Sequence, residues 1–282
     1  MAWWWRSRHF GRIINADPAF FLSLSERRAL ETNAEEIGFA LVFALVAVLY
    51  SSVGQVGGTG YVAVMALADL HPTVIKPTAL LLNLLVAAIA LARYARADLL
   101  TWRTCYPFAI LGAPFSALGG VLNLSKEIYE PIVGVLLVAA AVQMFPTARA
   151  AAAEDRAADR DPPFLLALLT GGGIGFVSGI TGIGGGIFLA PLVLSLRWVS
   201  TRRALAVSAA FNLLNSAAAL AGAARTIPTL PAELPYWLVV VGLAGLYGSW
   251  LGVARLPASV SRYILAVLLA SAGLRMLLAT SD

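Results

Sequence analysis

Long apolar segments separated by short polar stretches make up most of this chain. Six of them are uninterrupted, and they cover residues 77–92, 105–124, 131–145, 204–224, 236–254 and 263–279. A helix of about 20 apolar residues, rising about 1.5 Å per residue, crosses the hydrocarbon layer of a bilayer. The pattern therefore predicts an all-α polytopic membrane protein whose surroundings are the lipid bilayer.

Two further apolar segments, residues 37–70 and 164–196, are interrupted by glycine. The interruptions are Ser52–Tyr61 and Ser178–Pro191. Glycine accepts backbone conformations that end a helix, and an open backbone at membrane depth is tolerated only where it lines protein or a water-filled cavity. Broken segments at matching places in two halves are typical of a transporter's binding site.

A polar linker, residues 146–163, divides the chain into two repeats, residues 37–145 and 164–279, of about four hydrophobic segments each. The halves match at an offset of about 127 to 133 residues, at Gly57-Gly58 and Gly184-Gly185 and at Asn83-Leu-Leu and Asn212-Leu-Leu. These matches predict an internal duplication. If each broken segment crosses the membrane, the halves are parallel; if each enters and returns as a re-entrant hairpin, they are inverted.

The first 36 residues form a separate tail with three tryptophans and five arginines. We predict an amphipathic helix lying in the membrane interface, with an ordinary surface extension as the alternative. If the chain crosses the membrane eight times, residues 1–36, 93–103 and 146–163 share one side with eleven basic residues, which favours cytoplasmic termini. Arg197, Arg202 and Arg203 then lie on the other side and weaken this assignment.

Composition narrows the possible chemistry. The chain is 60% hydrophobic and 12% charged, with a net charge of +5. This excess suits positive flanks beside anionic headgroups better than nucleic acid. One cysteine, Cys105, and two histidines leave no disulfide within the chain and predict no metal site, cofactor or catalytic residue. A membrane-embedded enzyme would need a nucleophile with a nearby base, and the sequence has no Walker-type run for ATP.

The two glycine breaks are the predicted binding site for an anion. A helix that begins after a break presents free N–H groups and the positive end of its dipole. The predicted substrate-binding residues are Gln55, Gly57, Gly58 and Thr59 in the first break, Thr181, Gly184, Gly185 and Gly186 in the second, and the matched Asn83 and Asn212. We add Lys76 as part of a cationic vestibule, with Arg202 and Arg203 as its counterpart. Glycines in later segments, such as Gly112 and Gly119, are interpreted as helix-packing positions.

At these residues the chain resembles the TauE/SafE family, bacterial membrane proteins that include sulfite exporters and toluene-sulfonate permeases. The resemblance rests on Gly182-Ile-Gly-Gly-Gly186 followed by Pro191-Leu192, on Ala204–Ser208, and on the duplicated segments, and it spans about residues 37–279. It implies a multi-pass carrier of the inner membrane that exports sulfite or an organosulfonate such as sulfoacetate. The first break, Gln55-Val-Gly-Gly-Thr59, departs from the fuller glycine run of the family.

Two alternatives to export stay open at this stage. One is uptake of an organosulfonate or another anion, since gradients set the direction of a secondary transporter. The other is a membrane scaffold that transports nothing and uses the N-terminal tail as its partner surface. The coupling ion is also open, with protons as a candidate.

Overall fold

The computed structural model describes residues 37–100, 102–150, 162–196, 198–224, 230–254 and 258–279. The chain forms two compact units, Met1–Leu41 and Val42–Asp282. The predicted interfacial helix in residues 1–36 and residues 151–161 of the predicted linker lie outside the described residues. All contacts given below lie within the second unit.

The described residues are almost entirely helical, and no strand occurs among them. The helices are α1 Ile37–Ser52, α2 Gly58–Leu67, α3 Pro72–Arg96, α4 Trp102–Val121, α5 Lys126–Ala150, α6 Phe164–Thr181, α7 Gly186–Ser195, α8 Thr201–Ala223, α9 Leu234–Ala254 and α10 Ala258–Ala279. Seven of these, α3 to α6 and α8 to α10, are long and apolar enough to cross a membrane. The predicted all-α, multi-pass membrane architecture is confirmed.

Most helices extend past the apolar segments that predicted them. Helix α3 begins at Pro72, five residues before the predicted segment, and α5 ends at Ala150, five residues inside the predicted linker. A segment predicted from apolar residues ends at the first charged side chain. The helix itself continues past that side chain until a capping residue or a helix-breaking residue ends it. His71 provides such a cap, because its Nδ1 accepts a hydrogen bond from the backbone N–H of Thr73.

The first broken segment is a hairpin. The rings of Phe43 in α1 and Tyr61 in α2 have centroids 5.9 Å apart, although 18 residues of continuous helix would separate them by about 27 Å. Closer to the break, the hydroxyls of Tyr50 and Thr59 lie 2.6 Å apart. Helix α2 therefore returns alongside α1. It ends at what we call end A of the bundle, the end where Asp69 forms an ion pair with Lys126 at the start of α5.

The second broken segment is also a hairpin, and it begins at the opposite end. Ala167 near the start of α6 shares one apolar cluster with Leu189 and Val193 of α7. We call this end B; α3 ends there and α8 begins there. Three helices then cross the bundle in each half, α3 to α5 from end A and α8 to α10 from end B. The two halves thus run in opposite directions, and of the two arrangements left open by the sequence the structure has the inverted one. Duplication of one ancestral half stays a prediction.

Helices α4 and α6 pack in backbone contact through a ladder of glycines. A Cβ added at Gly171, Gly175 or Gly179 would lie 2.3, 2.2 or 2.1 Å from the carbonyl oxygens of Phe108, Gly112 and Ser116 in turn. On the other face of α4, a Cβ at Gly120 would lie 2.2 Å from the carbonyl oxygen of Ala219 in α8. Small residues permit such close approach in membranes, so the packing role predicted for Gly112 and Gly119 is confirmed.

Candidate anion site between two helix breaks

The two breaks meet inside the bundle. A Cβ added at Gly58 would lie 2.2 Å from the carbonyl oxygen of Ile183, so these two backbones touch. Beside them the matched asparagines of α3 and α8 form a reciprocal pair. Asn83 Nδ2 donates to Asn212 Oδ1 over 3.2 Å, and Asn212 Nδ2 donates to Asn83 Oδ1 over 3.3 Å. Both side chains are buried.

Each break ends where a helix begins, and the N-terminus of α2 faces the N-terminus of α7. Gly57 caps α2 with φ 75°, and Gly185 caps α7 with φ 79°. Both values lie in the left-handed region, where glycine alone avoids a steric cost. Because α2 runs to end A and α7 runs to end B, the positive ends of two oppositely directed helix dipoles converge at one place.

A small cavity with polar and apolar walls, which we call the inner cavity, lies at this convergence. Its volume is about 20 Å³, enough for about one water molecule. Its wall includes the backbone of Gly57, Gly58 and Gly186 and the side chains of Gln55, Thr59, Ser208, Asn212, Tyr50 and Leu205. Two buried side-chain atoms of this wall have no hydrogen-bond partner among the described residues, the oxygen of the Gln55 amide and the hydroxyl of Ser208. Such groups are costly unless a ligand or water pairs with them.

A larger cavity, the vestibule, adjoins the inner one toward end B. Its volume is about 570 Å³, and its wall includes Arg93, Arg202, Tyr94, Ser51, Ser52 and Ser249. Gly54, Gln55 and Leu205 line both cavities. The vestibule therefore ends at the wall of the inner cavity.

Gly54, Gln55 and Leu205 form the wall that the two cavities share, and Tyr94 contacts this wall from the vestibule. The Tyr94 hydroxyl donates a 2.9 Å hydrogen bond to the carbonyl oxygen of Gly54. A Cβ added at Gly54 would lie 2.5 Å from that hydroxyl and 2.8 Å from Leu205 Cδ1. The glycine, with φ 77°, is thus held between the tyrosine and the leucine.

The predicted site residues divide by position. Six line the inner cavity: Gln55, Gly57, Gly58, Thr59, Gly186 and Asn212. Asn83 stands behind Asn212 and also donates to Ser216 Oγ over 2.9 Å. A Cβ at Gly184 would lie 2.0 Å from Asn83 Nδ2, so this glycine makes room for the asparagine pair, and Gly185 caps α7.

Thr181 and Lys76 take other positions, since neither is among the residues that line the two cavities. Thr181 Oγ1 donates to the Val177 carbonyl within its own helix, over 2.7 Å. Lys76 is 5% exposed, and its ammonium donates to the carbonyl oxygens of Gly119, Gly120 and Leu122. It caps the C-terminus of α4 and does not form a cationic vestibule near the first break. The reason is its depth: seven residues place it about 10 Å along α3 from Asn83, toward end A.

Several residues of the site were not predicted. Tyr50 and Leu205 carry no polar signal that distinguishes them from core residues, and Tyr94 follows an arginine at a helix end. Ser208 and Ser216, in contrast, are expected from the sequence to face the interior with Asn212, because they lie four residues before and after it on the same helix face. Asn215, three residues on, instead faces α4, where Ser116 Oγ donates to its carbonyl oxygen over 2.9 Å.

These features define the class of membrane protein to which the chain belongs. A multi-pass helical protein with two inverted re-entrant hairpins meeting at a small cavity inside the bundle is built like a secondary transporter. The sequence family described as sulfite exporter TauE/SafE matches residues 39–276, and the chain belongs to this family of membrane transporters.

Two curated relatives are similar to the chain. A probable membrane transporter protein, y4hK, of Sinorhizobium fredii is 46% identical over 245 residues, covering 87% of this chain and 99% of the relative. A probable membrane transporter protein, MJ0441, of Methanocaldococcus jannaschii is 28% identical over 134 residues, covering 46% and 48%. No solved structure matches the chain.

Proposed function

We propose that this protein is a secondary transporter that exports a small sulfur-containing anion, sulfite or an organosulfonate such as sulfoacetate, across the bacterial inner membrane by alternating access. The name of its family, sulfite exporter TauE/SafE, supports the substrate class and the direction. The names of both relatives support transport in general.

The observation that carries the proposal is the convergence of two helix N-termini on the inner cavity. The first N–H groups of α2 and α7 have no partner within their helices, and both dipoles present their positive ends. Thr59 and Ser208 add hydroxyls, and Gln55 and Asn212 add side-chain amides. An oxyanion with several oxygen atoms accepts hydrogen bonds from many donors at once, and this set supplies them without a buried lysine or arginine.

The inner cavity is too small for the proposed substrate as it stands. It holds about one water molecule, whereas sulfite has three oxygen atoms around sulfur and sulfoacetate is larger still. Binding therefore requires the cavity walls to move apart. Tyr94 and Leu205, which separate it from the vestibule, are side chains whose movement would join the two spaces.

The charge distribution supports a cytoplasmic end B. Among the described residues, the arginines gathered there are Arg93, Arg96, Arg103, Arg202, Arg203 and Arg262, whereas the exposed cations at end A are Lys126 and Arg275. Basic residues concentrate on the cytoplasmic side of membrane proteins. The inverted arrangement brings Arg202 and Arg203 to the same side as residues 93–103, which removes the conflict that eight crossings would produce. The vestibule then faces the cytoplasm, the source of an exported anion.

The test is flux in proteoliposomes loaded with sulfite, sulfoacetate or sulfate, with and without a proton gradient. Thr59→Val keeps the size of the side chain but removes a hydroxyl of the inner cavity. Thr170→Val is the matched control, since Thr170 is on α6 and its hydroxyl donates to the Leu166 carbonyl of its own helix. We expect saturable flux of one sulfur anion, reduced about tenfold in Thr59→Val, the loss of one or two good hydrogen bonds, and unchanged in Thr170→Val.

Two results would contradict the proposal. One is the absence of flux for every sulfur anion although the reconstituted protein is folded. The other is equal flux in Thr59→Val and wild type. Deletion of residues 1–33 separates transporter from scaffold, because a transporter keeps its flux without the tail.

A further inference from the structure

We propose that Arg93 and Arg202 form a second anion-binding site, in the vestibule, where a small sulfur oxyanion binds before it reaches the inner cavity. The inference rests on the proposed function, since the ligand is its substrate. The sequence predicted Arg202 as a counterpart of Lys76 in a cationic vestibule, and the structure adds Arg93 from α3 to the same cavity wall.

Two different helices bring the guanidinium groups to one cavity. Arg93 lies in the last turn of α3 and Arg202 in the first turn of α8, and both line the 570 Å³ vestibule. The described lining residues include no acidic side chain, and neither guanidinium has an ion pair or hydrogen bond with a described residue. Two unpaired like charges in one concave wall raise the local concentration of anions.

The placement of Arg202 is unfavourable for its own helix. The N-terminus of a helix carries partial positive charge, so a cation in the first turn is repelled, and Arg203 adds a second cation there. Arg93 at the end of α3 has the favourable placement. A bound anion would offset the repulsion at α8, and a guanidinium is well suited to oxyanions because its planar donors pair with two oxygens.

The two arginines also lie close in sequence to residues at the wall between the vestibule and the inner cavity. Tyr94, which donates to the Gly54 carbonyl, directly follows Arg93. Leu205, which packs on Gly54, comes one helical turn after Arg202. An anion held between the arginines therefore lies beside the two side chains that must move to admit it to the inner cavity.

The experiment compares the double variant Arg93→Gln/Arg202→Gln with Arg96→Gln. Arg96 is exposed in the same last turn of α3 but does not line the vestibule, so it controls for loss of charge at end B. Sulfite flux is measured in phosphatidylcholine vesicles at low and high salt. We expect the KM of the double variant to rise about tenfold at low salt with its maximal rate nearly unchanged, and Arg96→Gln to match wild type. Salt should raise the KM of wild type toward that of the double variant.

Equilibrium binding of radiolabelled sulfite keeps this test independent of transport. If wild type shows no flux but binds sulfite more tightly than the double variant, the vestibular site stands and the proposed function fails. Thr59→Val should have about tenfold lower flux than wild type yet keep the vestibular binding. Equal sulfite binding by wild type and the double variant would overturn the inference.

A lipid phosphate shares the chemistry of the proposed ligand, and vesicle composition distinguishes the two sources. If wild type and the double variant bind sulfite alike in phosphatidylcholine and differ only after phosphatidylglycerol is added, the arginines hold a headgroup and the inference is overturned. A difference already present in phosphatidylcholine supports a site for the soluble anion.

Discussion

Gly184→Ala tests whether the asparagine pair must form for the two breaks to make a working site. Gly184 has φ 87°, and a Cβ there would lie 2.0 Å from Asn83 Nδ2 and 2.1 Å from Asn212 Oδ1. Ordinary contacts of a Cβ begin near 3.4 Å. The methyl group therefore displaces both amides by more than 1 Å, which breaks both hydrogen bonds between them.

The cost follows from two contributions. Alanine in a left-handed conformation costs about 1 to 2 kcal/mol. Each buried amide left without its partner costs about 1 to 3 kcal/mol in water-soluble proteins, although measured values within membranes average nearer 0.6. For two amides, the contributions sum to a loss in the free energy of unfolding of about 2 to 3 kcal/mol with the membrane value and about 3 to 8 kcal/mol with the value for water-soluble proteins. Since 1.4 kcal/mol is tenfold in an equilibrium constant, the correctly formed site becomes at least about tenfold rarer.

Two assays separate folding from transport. Thermal unfolding of purified protein, followed by tryptophan fluorescence, measures the loss of stability. Sulfite flux at a temperature well below the transition measures the site. The control is Gly173→Ala in α6, where an added Cβ meets nothing within 4 Å and alanine favours the helix.

We expect Gly184→Ala to lose flux and stability and Gly173→Ala to keep both. Adding Asn83→Ala should make the double variant less unstable than the sum of the single changes, because one clash is gone. Wild-type flux in Gly184→Ala, or an equal loss in Gly173→Ala, would refute this account of the site.

Three further predictions concern single side chains. Ser208→Ala removes a hydroxyl without a described protein partner, so we expect a higher KM for the anion and an unchanged melting temperature, with Ser271→Ala on exposed α10 as the control. Lys76→Met leaves three carbonyl groups at the end of α4 without their donor and should cost about 1 to 3 kcal/mol by thermal unfolding. Lys126→Met removes exposed ion pairs and should lower the melting temperature much less; equal losses would contradict the cap. The hydrogen bond from Lys126 holds the pKa of Asp69 below its usual range, so its stabilising effect is present at neutral pH and is lost as the pH falls through that lowered pKa. Asp69→Asn should accordingly lower the melting temperature at neutral pH and make no difference in strong acid; a difference that persists in acid would contradict the ion pair.

The apolar pattern predicted the fold well because lipid restricts the chain to helices. Each long segment had to become a helix, and each glycine run had to line the interior. The matched Asn83 and Asn212 could likewise be assigned to the interior, since an amide cannot face lipid. Their mutual hydrogen bonds could not be predicted from the sequence. The pair forms only because α3 and α8, which enter the bundle from opposite ends, place the two asparagines at the same depth.

The sequence left open the direction in which the second arm of each broken segment runs. A segment such as residues 37–70 has the same composition whether its second arm continues across the membrane or returns. Contacts between residues far apart in the sequence settle it, such as Phe43 with Tyr61. The position of Lys76 differs from the predicted one for a similar reason. Its nearness in sequence to the first break does not determine how deep its side chain lies in the bundle.

Each hairpin accepts a hydrogen bond from a tyrosine, and the two tyrosines lie at opposite ends of the bundle. Tyr94 donates to the carbonyl of Gly54 and Tyr129 donates to that of Thr181, over 2.9 and 2.8 Å, and these carbonyls stand 127 residues apart, as Gly57 and Gly184 do. Their surroundings differ: Tyr94 is half-buried in the wall of the vestibule, whereas Tyr129 is 2% exposed. The contact at the first break therefore borders the vestibule, whereas the contact at the second break is buried.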